Sequence, residues 1–381
     1  MTDDGIRITV WWHTSNNVWK MAAEISKRNS FRFSPTFNDS GDWELVTPYD
    51  SDSAALVEPK VLTLIEFRGV TSTWRNISQP SRNSDGETVL TVTGDGALSL
   101  LGDETAWRDP GSGLGGQPEG QPILYSGSAG QVVAALVNDN YIERAGLPLA
   151  IPTITNLGTP SRARSNFMNL QELVVTKANA GGIGVDVGLV LDNDTTAHLE
   201  LMLWVPVDRS ANVYLSESVG SLGEWNTAVE PPTLTHAIVS GVEGDWTLVT
   251  TADSLADAAI WGEKWALISG PQSYDAADIV QAGEEALTDG KGRTNVALNA
   301  IDSSGLMAFR DYNVGEKATA TLDIGLEVVD VISSISVTVG DDGFPEIVPT
   351  FGKPDASDPL LSLADVIRAQ DRRIRSQEQR G

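Results

Sequence analysis

Apolar and polar residues alternate in short runs from the start of the chain. Ile6-Arg7-Ile8-Thr9-Val10 repeats with period two and predicts a half-buried strand. Phe31-Arg32-Phe33, Trp43-Glu44-Leu45-Val46, Val61 to Phe67 and Thr88-Val89-Leu90-Thr91-Val92 predict further strands. Between them lie turn formers: Asn38-Asp39-Ser40-Gly41-Asp42, Glu58-Pro59 and Ser84-Asp85-Gly86. Short strands at this spacing point to a small antiparallel barrel or sandwich. The Gly- and Pro-rich run Asp109 to Pro118 reads as a loop and a boundary.

The period then changes. Ser128 caps a helix predicted over Ala129 to Ala145, with Val132, Val133, Leu136, Val137 and Ile142 on one face and Gly146 ending it. Asn166 is placed at the start of a second helix carrying Phe167, Leu170, Leu173, Val174 and Ala178, stopped by Gly181-Gly182. A hairpin follows, Gly184 to Leu191 and His198 to Val205, turning at Asp192-Asn193-Asp194. Strands return at Ala237 to Ser240 and Trp246 to Val249. Helices are expected over Asp253 to Ile268 and Asp275 to Thr288, then a strand over Val296 to Ile301 and two or three more from Asp311 to Gly352. Strands, helices and strands again predict an α+β, β-dominated fold, compatible with one β-domain assembled from separated pieces. We divide the chain into a β-barrel-like domain 1–125, an α/β domain 126–233, a second β-barrel-like domain with a helical insertion 234–352, and a linker and helix 353–381.

That last segment has its own signature. Ser357 or Asp358 can accept from the first free amides, and Pro359 suits the first helical position. Leu360, Leu363, Ile367, Gln370, Ile374 and Gln377 recur at three and four, an a/d seam. Arg368, Arg372, Arg373, Arg375 and Arg380 crowd the end where the helix dipole favours cations. Two readings stay open: a seam for another helix, or a terminal helix docked on its own domain. The partner-binding reading rests on Leu360, Leu363, Ile367 and Ile374, with Arg372 and Arg373 beside them.

Charge sharpens the picture. The 381 residues carry a formal net charge of −26, which repels phosphate backbones and argues against nucleic-acid binding. Cysteine is absent, so neither disulfides nor thiolate metal sites enter the reading. No signal-like opening and no apolar run long enough to span a bilayer is found, so no membrane span is expected.

Catalytic constellations are sparse. His13, His198 and His236 are far apart in sequence, with no His-Glu-x-x-His. Ser128 lacks the spacing of a nucleophile elbow and reads as a cap. Gly181-Gly182-Ile183-Gly184 stands after a helix and before a strand, the wrong order for a dinucleotide loop. Asp192-Asn193-Asp194 lacks the Gly and Glu of a calcium loop. Glu284-Glu285 reads as a solvated helix face rather than a glycosidase pair. No enzyme, cofactor or metal is expected. The 11 tryptophans suit cores and subunit interfaces, and a few exposed ones would suit sugar stacking.

Phe33-Ser34-Pro35-Thr36-Phe37 with Gly41-Asp42-Trp43-Glu44-Leu45 resembles the opening hairpin of a known family, the tail-tip hub proteins of long-tailed actinobacterial siphophages. Val61 to Val70, Val132 to Tyr141 and Asn169 to Val187 follow in its order. Asp311-Tyr312-Asn313-Val314-Gly315-Glu316-Lys317 is the most specific match, although the family often has Asp at the place of Glu316. Thr350-Phe351-Gly352 resembles its closing strand. The resemblance spans most of 20–352; the Trp-Trp start and the stretch 109–120 do not obviously match.

The resemblance implies a non-enzymatic virion protein at the tail tip. It implies a homotrimer, with two tail-tube-type β-barrel-like domains per subunit in pseudo-sixfold array and smaller α/β domains outside. Implied neighbours are the distal tail protein ring, the tape measure protein and a downstream tip or fibre protein. DNA would pass the lumen without specific binding, and lytic work would fall to another protein. The competing expectation, from the tryptophans and carboxylates, is a cell-wall carbohydrate-binding or hydrolytic tail protein.

Overall fold

The computed structural model describes residues 5–82, 88–154, 156–241, 246–269, 275–301, 305–322, 325, 327–340 and 344–351. The alternation at the start becomes the strand Ile6–Ser15, with Ile6, Ile8 and Val10 buried in one core cluster and Trp11 in another. The Trp11 indole donates to Thr9 Oγ1 at 2.8 Å, so its polar edge is satisfied inside. Val61–Phe67 pairs antiparallel beside it, and its nearly unbroken apolar run is buried on both faces. Val61, Ile65 and Phe67 enter the first cluster, Leu62 and Leu64 the second. These strands form the centre of a six-stranded antiparallel sheet in the order Gly184–Asn193, Thr196–Trp204, Val18–Glu24, Ile6–Ser15, Val61–Phe67, Val70–Arg75.

A ten-stranded sheet covers one face of the first. Its main path runs Leu222–Glu230, Arg293–Ala300, Pro345–Phe351, Glu327–Val339, Ser30–Ser34, Asp42–Pro48, Thr88–Gly94, Ile77–Arg82. Lys317–Thr321 pairs with Glu327–Val339, and Tyr214–Ser216 runs parallel to Lys317–Thr321. Phe33 faces Val337 and Phe31 faces Val339, so the two ends of the chain meet as neighbouring strands. Phe31, Phe33, Trp43, Leu45 and Phe351 share one core with Ile8, Phe67 and Trp74 of the first sheet. The β-dominated α+β class is as expected, and both large sheets are open in their hydrogen bonding.

Two helices cover the other face of the six-stranded sheet, in the second core cluster. The first, α1, is Ala129–Val137; Ser128 and Gln131 form the reciprocal capping box. A wider helical turn, Asn138–Arg144, extends it to Gly146, whose φ of +68° favours glycine. The second, α2, is Leu170–Gly181. Its cap is Asn169 rather than the expected Asn166, because Met168–Asn169 is first held as a strand against Thr105–Ala106. The loop 109–118 is closed on Gln117, which donates to the carbonyls of Asp109 at 2.8 Å and Ser112 at 2.9 Å.

A smaller unit lies between Glu230 and Arg293. Trp246–Val249, His236–Ser240 and Trp265–Ser269 form a three-stranded sheet in that order. The helix expected over Asp253 to Ile268 is shorter: α3 is Ala252–Trp261, Gly262 adopts φ +85°, and Trp265–Ser269 is a strand. Both periods are present in that stretch, and pairing with His236–Ser240 decides for extension. The next helix, α4, is Ala276–Asp289, and Ile279 and Leu287 pack on Ala237, Val239 and Val249 of the small sheet.

A polar seam ties α4 to the rest. Arg162 Nε donates to Asp278 at 2.5 Å and Arg164 Nε to the same carboxylate at 2.8 Å. Lys177 of α2 donates to both oxygens of Glu285 at 2.7 and 2.8 Å, with both side chains about nine-tenths buried. Gln281 Nε2 completes the set, reaching Glu285 at 2.6 Å and the Arg162 carbonyl at 3.0 Å. Removing one partner of such a pair strands the other charge away from water. We expect Lys177→Met to cost about 3–5 kcal/mol, and Lys177→Met with Glu285→Leu to recover most of it. Urea unfolding of the three proteins checks this, and a loss below about 1 kcal/mol in the single variant would reject the pair as the anchor.

Candidate functional site

The residues of greatest catalytic appearance take up structural work. Ser128 Oγ accepts from the Gln131 amide as a helix cap. Gly182 ends α2 at φ +67°. Asn193 Oδ1 accepts from the Thr195 and Thr196 amides at 3.0 and 3.1 Å, closing the hairpin turn. His13 bonds the Asn16 carbonyl, His198 sits between Asp192 and Glu200, and His236 stacks on Trp265 with ring centroids 4.3 Å apart. The three imidazoles have separate partners.

The segments singled out by sequence meet at the junction of the two large sheets. Gly41 has φ +59°, and a Cβ there would lie 2.2 Å from the Ser34 carbonyl oxygen, so only glycine closes this hairpin. Its neighbour Asn38 (φ +52°) crosses to the other sheet. Its side chain donates to the Ile183 carbonyl at 2.9 Å and accepts from the Val185 amide at 2.7 Å. Asp311 accepts from the Met307 amide at 2.7 Å, Tyr312 is buried in the shared core, and Glu316 accepts from the Asn313 amide at 3.0 Å. Glu316 also takes Arg209 Nε at 2.6 Å. The extra methylene of Glu over Asp leaves one carboxylate both to close the turn and to hold a cation. Gly315 (φ +81°) lets the Phe37 ring approach to 2.6 Å from where a Cβ would stand.

Beside this junction is a cavity of about 210 Å³, walled by Phe37, Trp204, Met202 and Phe309, with Asp186 in its lining. Phe37 and Trp204 meet edge to face at 6.2 Å. Burial pushes the Asp186 carboxyl up to about 7, and the Val187 amide, 2.7 Å away, offsets only part of that. Packing places the carboxyl here: Val185, Val187 and Leu189 point to the helices, so Asp186 must face the opposite layer.

A second surface lies on the small sheet. Cross-strand partners share a face, so Ile238 lies between Leu248 and Leu267, His236 beside Trp265, and Ser240 beside Trp246. This is the face turned away from α4. Trp246 is 60% exposed, Leu248 55%, Trp265 52% and Leu267 61%. Leu255, Ile260 and Trp261 of α3 are exposed as well. Sequence reading missed this surface because the stretch to Ile268 was given to a helix; the alternation Trp265-Ala266-Leu267-Ile268 was the available signal. Trp11, Trp43 and Trp74 are fully buried, so the tryptophans divide between core and surface. Leu360, Leu363, Ile367, Ile374, Arg372 and Arg373 lie outside the described residues.

The Asp186 carboxyl gives a pH test. Its folded pKa stands above the ordinary carboxylate value, so ionisation costs the folded state. The cost is absent below about pH 4, grows with rising pH and is complete above about pH 7. Asp186→Asn should therefore stabilise the protein by about 2–4 kcal/mol at high pH and leave it unchanged near pH 4. Urea midpoints at both pH values check it; an equal shift at both would exclude the carboxyl's charge as the cause.

The fold has solved counterparts. The 43 kDa tail protein of prophage MuSo2 from Shewanella oneidensis is 16% identical with a TM-score of 0.54, over 92% of this chain and 100% of that one. Prophage tail protein gp18 from Listeria monocytogenes EGD-e is 14% identical with a TM-score of 0.53, over 96% and 99%. The tail protein from Neisseria meningitidis MC58 is 11% identical with a TM-score of 0.54, over 91% and 96%. At these identities the likeness is one of fold. No curated protein matches the sequence. Residues 7–353 match one family nearly end to end, and the chain belongs to the Siphovirus ReqiPepy6 Gp37-like proteins.

Proposed function

We propose that this protein is a structural component of a phage tail, a trimeric hub at the tail tip. The observation that carries the reading is the shared architecture: the fold of three tail proteins extends over more than nine-tenths of this chain and of each of theirs. The siphovirus family match supports the same class of virion. The ten-stranded sheet offers two halves to the tube, one from Ser30–Ser34, Asp42–Pro48, Thr88–Gly94 and Ile77–Arg82, the other from Arg293–Ala300, Glu327–Val339 and Pro345–Phe351. Two such halves in each of three subunits would give the pseudo-sixfold wall. We assign these halves to the proposed domains 1–125 and 234–352, with 126–233 as the α/β domain between them.

In this reading the distal tail protein ring lies on one side of the hub and a tip or fibre protein on the other. The tape measure protein and then DNA occupy the lumen. A net charge of −26 suits a wall past which DNA slides without capture. The segment Pro359 to Arg380 is proposed as the attachment for the downstream protein, through Leu360, Leu363, Ile367 and Ile374, with Arg372 and Arg373 meeting acid. The hub acts by geometry, with no catalytic step assigned to it.

Mass photometry of the pure protein should give three copies per particle. Monomer alone at high concentration, together with a virion stoichiometry other than a multiple of three, would overturn the hub. Deleting 357–381 should leave a soluble trimer that no longer assembles whatever lies below. Complete, infective tails built with the truncated chain would remove the segment from that role.

A further inference from the structure

We propose that the cavity at the junction of the two large sheets binds an alkylammonium ion, with its charge on the Asp186 carboxylate and its stem against Phe37, Trp204 and Phe309. Such a site needs neither a trimer nor a tail partner, so it goes beyond the hub reading. The rings of Phe33, Phe37, Phe67, Trp74, Trp204 and Phe309 line the space. Aromatic faces are negative and attract a cation lying within about 6 Å of their centres. The volume, about 210 Å³, exceeds the ~150 Å³ of an apolar cavity that accepts benzene, a molecule about the size of n-butylammonium. Asp39 lines the same cavity and is exposed, so the space reaches the surface.

The polar lining selects the charge. Asp39 and Asp186 are the ionisable side chains of the wall, and no Lys, Arg or His lines it. Hydroxyls of the wall are already engaged. Ser72 accepts from the Trp74 indole at 2.9 Å, Thr73 from the Leu189 amide at 2.9 Å and Ser40 from the Gln171 side chain at 2.8 Å. Asp186 Oδ1 accepts from the Val187 amide at 2.7 Å, and among the described residues Oδ2 has no hydrogen-bond or ionic partner. An ionised carboxyl without a cation is costly in such a space. An ammonium ion removes that cost, an anion is repelled, and a neutral ligand leaves the carboxyl unmatched. One free oxygen suits an ammonium better than a guanidinium, whose fork takes both oxygens of a carboxylate.

Other charges near the site have their own partners. Along the same face of the Asp186 hairpin, Glu200 stands opposite Gly188 and His198 opposite Val190, and these two bond each other at 3.2 Å. Arg75 pairs with Asp103, Arg310 with Asp311 and Arg209 with Glu316. None of them lines the cavity. Asp39, in the hairpin of the ten-stranded sheet, is the one other ionisable group of the wall.

Titration calorimetry at about pH 8 tests n-butylammonium, 1-butanol and butyrate on wild type, Asp186→Asn, Asp39→Asn and Phe37→Leu. The ammonium should bind wild type with a millimolar or tighter dissociation constant, and butanol and butyrate about 10-fold more weakly or worse. Asp186→Asn should weaken the ammonium by about 10-fold or more, the size of one hydrogen bond to a charged group. Phe37→Leu should weaken it by about 2–5-fold, the size of a cation–π contact, and Asp39→Asn by less than about 3-fold. At about pH 5 wild type should bind more weakly, since Asp186 takes up a proton while an amine with a pKa near ~10.4 stays charged. Asp186→Asn should lose that pH dependence. The urea midpoint is a second readout: n-butylammonium should raise it in wild type and leave it unchanged in Asp186→Asn. Nα-acetyl-lysine methylamide carries the same ammonium on a main chain. Binding equal to n-butylammonium assigns the site to a lysine side chain, and its loss assigns the site to a free amine. Equal binding of butanol and the ammonium, ammonium binding untouched by Asp186→Asn, or no saturable binding to wild type in the millimolar range overturns the proposal.

Discussion

Pairing between the two ends of the chain governs this architecture. Ser30–Ser34 lies against Glu327–Val339, with Phe33 opposite Val337 and Phe31 opposite Val339. Without that contact the N-terminal and C-terminal strands would form two smaller sheets with exposed edges and divided cores. Closing a loop of about three hundred residues costs only a few kcal/mol more than closing a short one, because the entropy grows logarithmically with length. The aromatic cluster around Phe33 supplies the return: Phe67, Trp74 and Phe309 all lie within 6.4 Å of its ring centre. The cost falls on kinetics, since such distant contacts form late and slowly.

Once the ends are joined, the remaining layers have few choices. Val61–Phe67 is apolar on both faces and must lie between two covers. The ten-stranded sheet is one cover, and α1 with α2 is the other. The hairpin at Gly41 then positions Asn38 to bond both Ile183 and Val185, fastening the layers to each other. Polar contacts of this kind contribute modest net stability but specify alignment, because misplacing Asn38 would leave buried amides unpaired. The same logic operates at Arg162, Arg164, Lys177 and their carboxylates, which set α4 against α2.

Among the described residues the carboxylates lie largely outside the packed cores, Asp278 and Glu285 excepted, and Trp246, Leu248, Trp265 and Leu267 are exposed on the outer face of the small sheet. The cavity beside the junction of the two large sheets is aromatic-walled, and burial holds its Asp186 carboxyl above the ordinary carboxylate range.

The sequence alone determined what depends on neighbours a few residues apart. Period-two runs at Ile6 to Val10 and Val61 to Phe67 became strands, the Ser128 cap and the Gly181-Gly182 stop bounded real helices, and Asp192-Asn193-Asp194 turned a hairpin. The segment Asp311 to Lys317 stood out by its resemblance to a family motif; Asp311 and Glu316 close its turn locally and Gly315 is left-handed there, while Tyr312 packs in the core shared by both sheets. Tertiary structure decided the rest. Asn166 lost the cap to Asn169 because a distant strand, Thr105–Ala106, held the residues between them. The stretch after Gly262 became a strand because His236–Ser240 offered it a partner, and that pairing turned Trp265 and Leu267 outward beside Trp246 and Leu248. Local pattern records which side chains avoid water. Which of them share a face is set by hydrogen-bond register between segments far apart in the chain, and register is a property of the folded sheet.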